Sequence, residues 1–353
     1  MSRKLVADRE QTGKHDVAPG SSAVPVPRGE LWISWHHSRR SETLSHALGV
    51  PLVAFQLEGP AVLRHGLSAL WTFFQIARWR PRLIFTQHSF LLTLILALYC
   101  RAWPWPVKLI VDSHTKALKR DLRGVPGSLL RALRAFSFAQ AEALVVANPL
   151  LQGFAQKLCP RVVVLPDPLP DPTSFLPGVP PRVHARPYIV FPASGDVDEP
   201  WEQFLVAAAR VEGVDFVVTG LARDTAHAAD ACGHVRFVGW LPEDEYWPLL
   251  HEATAVLALT RLEDCSQCAA VEALACGVPV IATSTPALIS ELGDAALYVG
   301  VDLEGLPLAV YELIEHQSLL RQRASLWKQR RRGEQKSSVE ALRRLAEVPD
   351  GLG

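Results

Sequence analysis

The chain has no net charge to exploit: 36 Lys and Arg balance 36 Asp and Glu. Non-specific nucleic-acid binding needs a cationic surface, so the overall charge gives no reason to expect nucleic acid as a partner. Cysteine is scarce, with six in 353 residues, at positions 100, 159, 232, 265, 268 and 276. That is too thin for a disulfide framework and fits a reducing cytoplasm. The most apolar run, Phe90 to Cys100, falls well short of the about 20 residues that a membrane span needs, and reads as a buried helix. Residues 1–28 are polar with Gly, Ser and Pro, and lack the apolar stretch of a signal peptide, so they read as a disordered tail. No Gly-x-Gly-x-x-Gly follows a strand-like run and no Walker loop is present, which argues against a dinucleotide oxidoreductase and a P-loop enzyme. Cys265 and Cys268 form a single Cys-x-x-Cys pair, half of what structural zinc requires.

What is present is a long alternation of β-rich and helical stretches. At 353 residues and 49% hydrophobic, two domains of about 100–200 residues are expected. The first half offers strands at Leu31–Trp35, Val50–Phe55, Leu83–Gln87, Lys108–Asp112, Ala143–Ala147 and Val162–Leu165. Helical stretches lie between them, at Ser41–Leu48, Val62–Trp79, Ser89–Arg101, Ser128–Gln140 and Pro149–Leu158. Continuous apolar runs such as LIVD and LVVA suit strands covered on both faces, as in a parallel sheet. The stretch from Pro166 to Pro181 is too rich in proline for helix or sheet and reads as a linker. Beyond it the alternation restarts. Strands are expected at Tyr188–Ala193, Asp215–Thr219, Val235–Val238, Ala255–Thr260, Val278–Ala282 and Ala296–Val299. Helices are expected at Pro200–Val211, Ala222–Ala231, Glu243–Glu252, Gln267–Cys276 and Pro286–Leu292, with a long segment from Leu303.

The predicted class is therefore α/β, with two Rossmann-like domains and a cleft between them. The division is a tail over 1–28, a first domain over 29–170, a linker over 171–185, a second domain over 186–320 and a helical segment over 321–353. Ligands of open α/β sheets bind at the carboxyl ends of the strands, which directs attention to the residues just after each strand.

The most informative segment is TRLEDCSQCAAVEALACGVPVIAT, starting at Thr260. A buried strand ends, a polar loop follows, and a small-residue helix runs to Gly277, a natural helix stop. A helix that starts at a strand's carboxyl end offers free N–H groups and a positive dipole end, which suits a diphosphate. Asp264 and Glu272 stand eight residues apart, one in the loop and one about two turns into the helix, where they can serve two sets of ligand hydroxyls.

This segment resembles the donor-site signature of retaining glycosyltransferases of the glycosyltransferase B fold (the group 1, or family 4-like, enzymes). In that signature two acids with seven residues between them precede Ala-x-Ala-x-Gly-x-Pro-Val, here Glu272 followed by Ala273, Ala275, Gly277, Pro279 and Val280. The resemblance implies that Glu272 accepts from the nucleotide's ribose hydroxyls and that the first acid meets the transferred sugar. The sequence departs from the pattern in having Asp264 where Glu is usual, followed by Cys-Ser-Gln in place of Gly-Phe-Gly. Ser266 and Gln267 would bring the helix N-terminus to the diphosphate. The Arg and Lys expected after the first strand of the second domain are missing. Ser194 and Gly195 stand there, within a stretch that resembles a bacterial subgroup carrying Asp-Glu-Pro. Backbone N–H groups of Ser194 and Gly195, with Arg261 from the neighbouring strand end, would take part of the charge. Arg39 and Arg40, after the first strand, would supply the rest, since arginine binds phosphate bidentately. Trp240 and Leu241 correspond to the segment facing the nucleobase, though core packing accounts for Trp240 equally well. Histidine recurs after the fourth strand in related transferases, so His114 joins Asp264 as a catalytic candidate, with His88 a weaker one.

The resemblance implies a nucleotide-sugar donor and a sugar or lipid-linked hydroxyl acceptor; no cofactor is expected, and no metal, because no Asp-x-Asp metal motif is recognised. Trp71, Arg78, Trp79, Arg80 and Arg82, with Trp103 and Trp105, suit a peripheral contact with the inner membrane face, or equally plain core and surface positions. Two other readings stay open: a nucleotide-sugar-binding scaffold without transfer, and a nucleotide-sugar epimerase of the same fold.

Overall fold

The computed structural model describes residues 29–103, 106–113, 115, 118, 125–176, 186–220 and 233–346. The expected tail over 1–28, the helix at Ala222–Ala231, most of the linker from 177, and residues Trp105, His114 and Cys232 lie outside the described residues.

The first half forms one six-stranded, all-parallel sheet in the order β2-β1-β3-β4-β5-β6. Its strands are β1 Glu30–Ser34, β2 Leu52–Ala54, β3 Leu83–Gln87, β4 Lys108–Ser113, β5 Ala143–Val146 and β6 Val162–Val164. The helices between them are α1 Arg39–Leu48, α2 Ala61–Trp79, α3 Phe90–Ala102, α4 Val125–Ala139 and α5 Gln152–Gln156. Alternation along β1 shows why the sheet is buried on both sides. Leu31 and Ile33 enter one core with Ile84, Leu92 and Val111, while Trp32 enters the opposite core with Phe85 and Ile110. Instead of the single helix expected at Pro149–Leu158, a 3₁₀ turn at Pro149–Leu151 leads into α5. Asn148 caps that turn through its side-chain oxygen, which accepts from the Leu150 N–H at 3.1 Å.

The second half repeats the plan. Strands β7 Tyr188–Ala193, β8 Asp215–Gly220, β9 Val235–Gly239, β10 Ala255–Ala258, β11 Val280–Thr283 and β12 Ala296–Val299 pair in parallel in the order β12-β11-β10-β7-β8-β9. Its helices are α6 Trp201–Ala208, α7 Glu243–Glu252, α8 Cys268–Ala275, α9 Pro286–Leu292 and α10 Leu306–Glu315. The strand order reverses direction between β7 and β10, so the loops leaving these two strands diverge and open a crevice. The end of β8 comes close to β7: a Cβ on Gly220, which has φ +87, would lie 1.8 Å from the Ala193 carbonyl oxygen. Only glycine fits there.

The Pro-rich connection forms neither α-helix nor strand among its described residues, only a 3₁₀ turn at Pro172–Phe175 capped by Asp171. The last helix, α11 Gln317–Ala346, runs 30 residues and begins before the expected boundary at 321. Its first turns pack Ala324 and Trp327 into the second domain, and its last turns send Val339 and Leu342 into the first domain's core. Arg343 donates to Glu30 at 2.6 Å across the same junction. The helix thereby belongs to both domains.

Candidate active site

Glu272 sits on α8 with 7% of its surface exposed. Burying a carboxylate is costly unless it is paired and hydrogen-bonded. Both its oxygens are engaged. Oε1 accepts from Arg39 Nη1 at 2.5 Å and Oε2 from the Tyr246 hydroxyl at 2.5 Å. Arg39 opens α1 in the first domain, whereas Tyr246 lies on α7, so the carboxylate is held from both domains. Arg39 also donates to Glu243 at 3.3 Å, and its guanidinium lies 5.7 Å and 5.4 Å from the rings of Tyr246 and Trp247. Burial pushes the Glu272 carboxyl above the ordinary range, and Arg39 only partly opposes it. Burial and the neighbouring carboxylate raise the Tyr246 hydroxyl well above its usual value.

Two cavities meet at Arg39. The smaller, about 30 Å³, is lined by Arg40, Thr43, Asp167, Cys268 and Glu272. The larger, about 310 Å³, is bordered by His46, Phe175, Glu243, Trp247 and Gln335. Both lie between the first domain, the connection and the second domain.

The loop from β10 to α8 is tied to the first domain through its backbone. The Asp264 carbonyl accepts from Thr115 Oγ1 at 2.9 Å and from Asn148 Nδ2 at 3.0 Å. Asn148 Nδ2 also reaches Ser266 Oγ at 3.3 Å. Asp264 itself is 6% exposed. The nearby Glu291 carboxyl is buried, which raises its pKa, and Arg331 steadies it at 2.6 Å. Gln267 is the extended residue just before α8 and makes no side-chain cap, its amide instead turning to Cys265 Sγ at 3.9 Å.

Other candidates are differently employed. Arg40 is buried, with Nε and Nη2 on Asp112, Nη1 on Asp167 at 2.7 Å and Nη2 also on the Leu165 carbonyl at 2.8 Å. Four of its five N–H groups are thus spent on a tie between β4, the connection and α1. The Ser194 N–H and hydroxyl both donate to Glu199 Oε1 at 2.7 Å, and the Gly195 N–H to Oε2 at 2.9 Å. The Trp201 indole N–H completes the set at 3.1 Å. A carboxylate of the chain itself therefore fills the anion nest after β7. Arg261 braces the same loop, donating to the carbonyls of Val197 and Glu199 at 3.2 Å and to Gln203 at 2.7 Å.

Trp240 stands 71% exposed just past β9, and Leu241 is half-buried against the second domain's core. The exposure removes the core-packing account of Trp240. His88 is held locally, with Nδ1 3.1 Å from Thr93 Oγ1 and its ring against Phe138. The expectation of no Asp-x-Asp spacing is corrected by Asp196-Val197-Asp198, of which Asp198 Oδ2 accepts from Thr260 Oγ1 at 2.7 Å. Among the described residues no three His, Cys, Asp or Glu side chains are grouped to hold a metal ion. Cys265 and Cys268 are both free thiols.

Residues 186–316 match the family model described as glycosyl transferases group 1. The second domain is a group 1 glycosyltransferase domain. No curated protein sequence matches the chain. Among solved structures, it is similar to the sucrose-phosphate synthase of Thermosynechococcus elongatus, with a TM-score of 0.70 at 13% identity over 90% of this chain and 98% of that one. It is also similar to Anabaena HepE in complex with UDP-glucose, with a TM-score of 0.67 at 12% identity over 89% of this chain and 99% of that one. A glycosyltransferase from Rickettsia africae gives 0.66 at 9% identity, over 92% and 100%. Likeness at these identities concerns the fold, and the two-sheet arrangement is the glycosyltransferase B fold.

Within the glycosyltransferase domain, sequence reasoning found Glu272 but missed Tyr246 and Glu199. The signal for Glu199 was present, an acid two residues ahead of the helix at Trp201 and four after Gly195. Tyr246 carried no such signal, because it meets Glu272 only through tertiary packing.

Proposed function

We propose that this chain transfers a sugar from a nucleotide-diphosphate donor to a hydroxyl acceptor, with retention of configuration and without a metal. The observation that carries the reading is Glu272, a buried carboxylate on the signature helix of a group 1 domain, gripped by Arg39 from the opposite domain. In this reading its remaining lone pairs accept from the ribose hydroxyls. The N-terminus of α8, at Ser266 and Gln267, faces the diphosphate and stabilises the leaving charge. Arg39 adds positive charge from the first domain. Asp264 orients the transferred sugar, and His114 remains a catalytic candidate on the sequence resemblance alone. Trp240 and Leu241 border the nucleobase.

The similarity to a UDP-glucose-bound protein favours a UDP-sugar. The acceptor is a sugar or a lipid-linked hydroxyl, in polysaccharide or glycoconjugate synthesis on the cytoplasmic side of a membrane. One observation favours a second reading, a nucleotide-sugar-binding protein without transfer: Arg40, Arg261 and the Ser194–Gly195 nest are all engaged internally. Calorimetry with UDP, GDP and ADP, followed by product analysis with the matching nucleotide sugars, separates the two. Selective binding with sugar release or transfer supports the enzyme. Binding without turnover supports the binding protein, and no binding by the folded chain defeats both.

A further inference from the structure

Helix α2 is built inside out. Its buried positions are Ser68, Thr72 and Ile76, spaced four residues apart, so that two of the three carry hydroxyls. Thr72 accepts from the Trp35 indole at 2.8 Å and donates to the Ser68 carbonyl at 2.8 Å. The opposite face carries Val62, Leu63, Leu67, Leu70, Phe73 and Phe74, none of them less than 43% exposed. A helix packed on a core in water has the reverse arrangement. A contiguous apolar face of this kind marks a contact with a second apolar phase.

The charges name the phase. Residues 61–82 contain Arg64, Arg78, Arg80 and Arg82 and no Asp or Glu. Three of these arginines gather at the helix C-terminal end around the part-exposed Trp79. A second copy of the chain would present the same helix, which offers no carboxylate to those arginines. An anionic bilayer offers both partners, acyl chains for the stripe and phosphates for the guanidinium groups, with Trp79 at the boundary where indoles collect. Among the described residues no helix is long and apolar enough to cross a membrane, so the contact is along the surface.

We propose that α2 lies in the plane of a membrane surface bearing anionic phospholipid, its Leu70–Phe74 face at the acyl boundary and Arg78, Arg80 and Arg82 on head-group phosphates. The inference stands apart from the donor-site assignment, since α2 contributes no residue to it.

The test is co-sedimentation of the full chain with phosphatidylcholine vesicles, with and without phosphatidylglycerol. Binding is expected only to the phosphatidylglycerol vesicles, and to weaken with salt. A variant carrying Leu70→Ser and Phe73→Ser should lose it while melting no lower than the wild type, because both side chains are more than half exposed. Arg80→Gly supplies a second arm. Arg80 holds the left-handed conformation at φ 45, so glycine should raise the melting temperature while weakening vesicle binding by about a factor of five, the value of one arginine at an anionic surface. Wild-type protein left in the supernatant with both vesicles would overturn the proposal. So would undiminished binding by the Ser variant, or self-association that this variant abolishes in a chain that ignores vesicles.

Discussion

Replacing Glu272 by glutamine keeps the shape of the side chain and removes its charge, and the consequences for affinity and for stability should have opposite signs. A carboxylate has about four lone-pair positions. Arg39 and Tyr246 each occupy one at 2.5 Å, which leaves two to receive ribose hydroxyls. In Glu272→Gln the amide oxygen still accepts from Arg39 and the amide nitrogen faces the Tyr246 oxygen, but the charged acceptor is gone. Hydrogen bonds to a charged group contribute about 1.5–3 kcal/mol, which corresponds to roughly 10–150-fold in Kd. Stability moves the other way. Burial raises the Glu272 carboxyl, so the folded protein holds that proton to higher pH than the unfolded chain does. Its contribution to stability is full below the unfolded pKa and is lost as pH rises through the folded pKa, leaving a cost at neutral pH that glutamine removes. The assay is UDP calorimetry and thermal melting of both proteins from about pH 5 to about pH 8, spanning the ordinary carboxylate range and the region above it. Wild-type affinity should climb with pH while its melting temperature falls relative to the variant. Glu291 is raised in the same way and titrates in both proteins, so only their difference reports Glu272. A variant that binds UDP like the wild type, or that loses stability and affinity together, would refute the reasoning.

Two further substitutions test the frame around the crevice. Gly220→Ala places a methyl 1.8 Å from the Ala193 carbonyl oxygen at a left-handed backbone, and should cost at least about 3 kcal/mol in urea unfolding. An unchanged midpoint would show that β8 does not approach β7 this closely. Glu199→Ala leaves the Gly195 N–H and the Trp201 indole N–H without their acceptor and should cost about 2 kcal/mol, with Glu199→Gln recovering part of it. If Glu199→Ala is neutral instead, water or a bound anion fills the nest.

The strands were legible because a parallel sheet covered on both faces demands unbroken apolar runs, and LIVD at Leu109–Asp112 or ALVV at Ala143–Val146 have few other uses. Helix ends were less so. What reads as one helix from Pro149 opens as a 3₁₀ turn capped by the Asn148 side chain, which periodicity does not register. At the site, the spacing of Asp264 and Glu272 carried the information, whereas their partners could not be read. Arg39 and Tyr246 reach Glu272 from 233 and 26 residues away. Arg40 was legible as a cation beside the cleft but not as the hub of two buried carboxylates, since neither Asp112 nor Asp167 is near it in sequence. For α2 the helix was legible at Val62–Trp79, and what sequence could not say is which of its faces points outward.

The passage of α11 across both domains bears on how the chain is made. Trp32, Phe85 and Ile110 line a core face that Val339 and Leu342 close. Those two residues leave the ribosome after nearly everything else described here. Until then that flank of the sheet is covered by Leu44 and Leu48 of α1 alone among the helices of this cluster, although domains ordinarily settle in order as they emerge. The nascent chain thus has an interval of exposed apolar surface that ends only with the last helix. A cut or a bulky fusion near residue 340 would harm the first domain most, although it lies more than 170 residues further along the chain than β6.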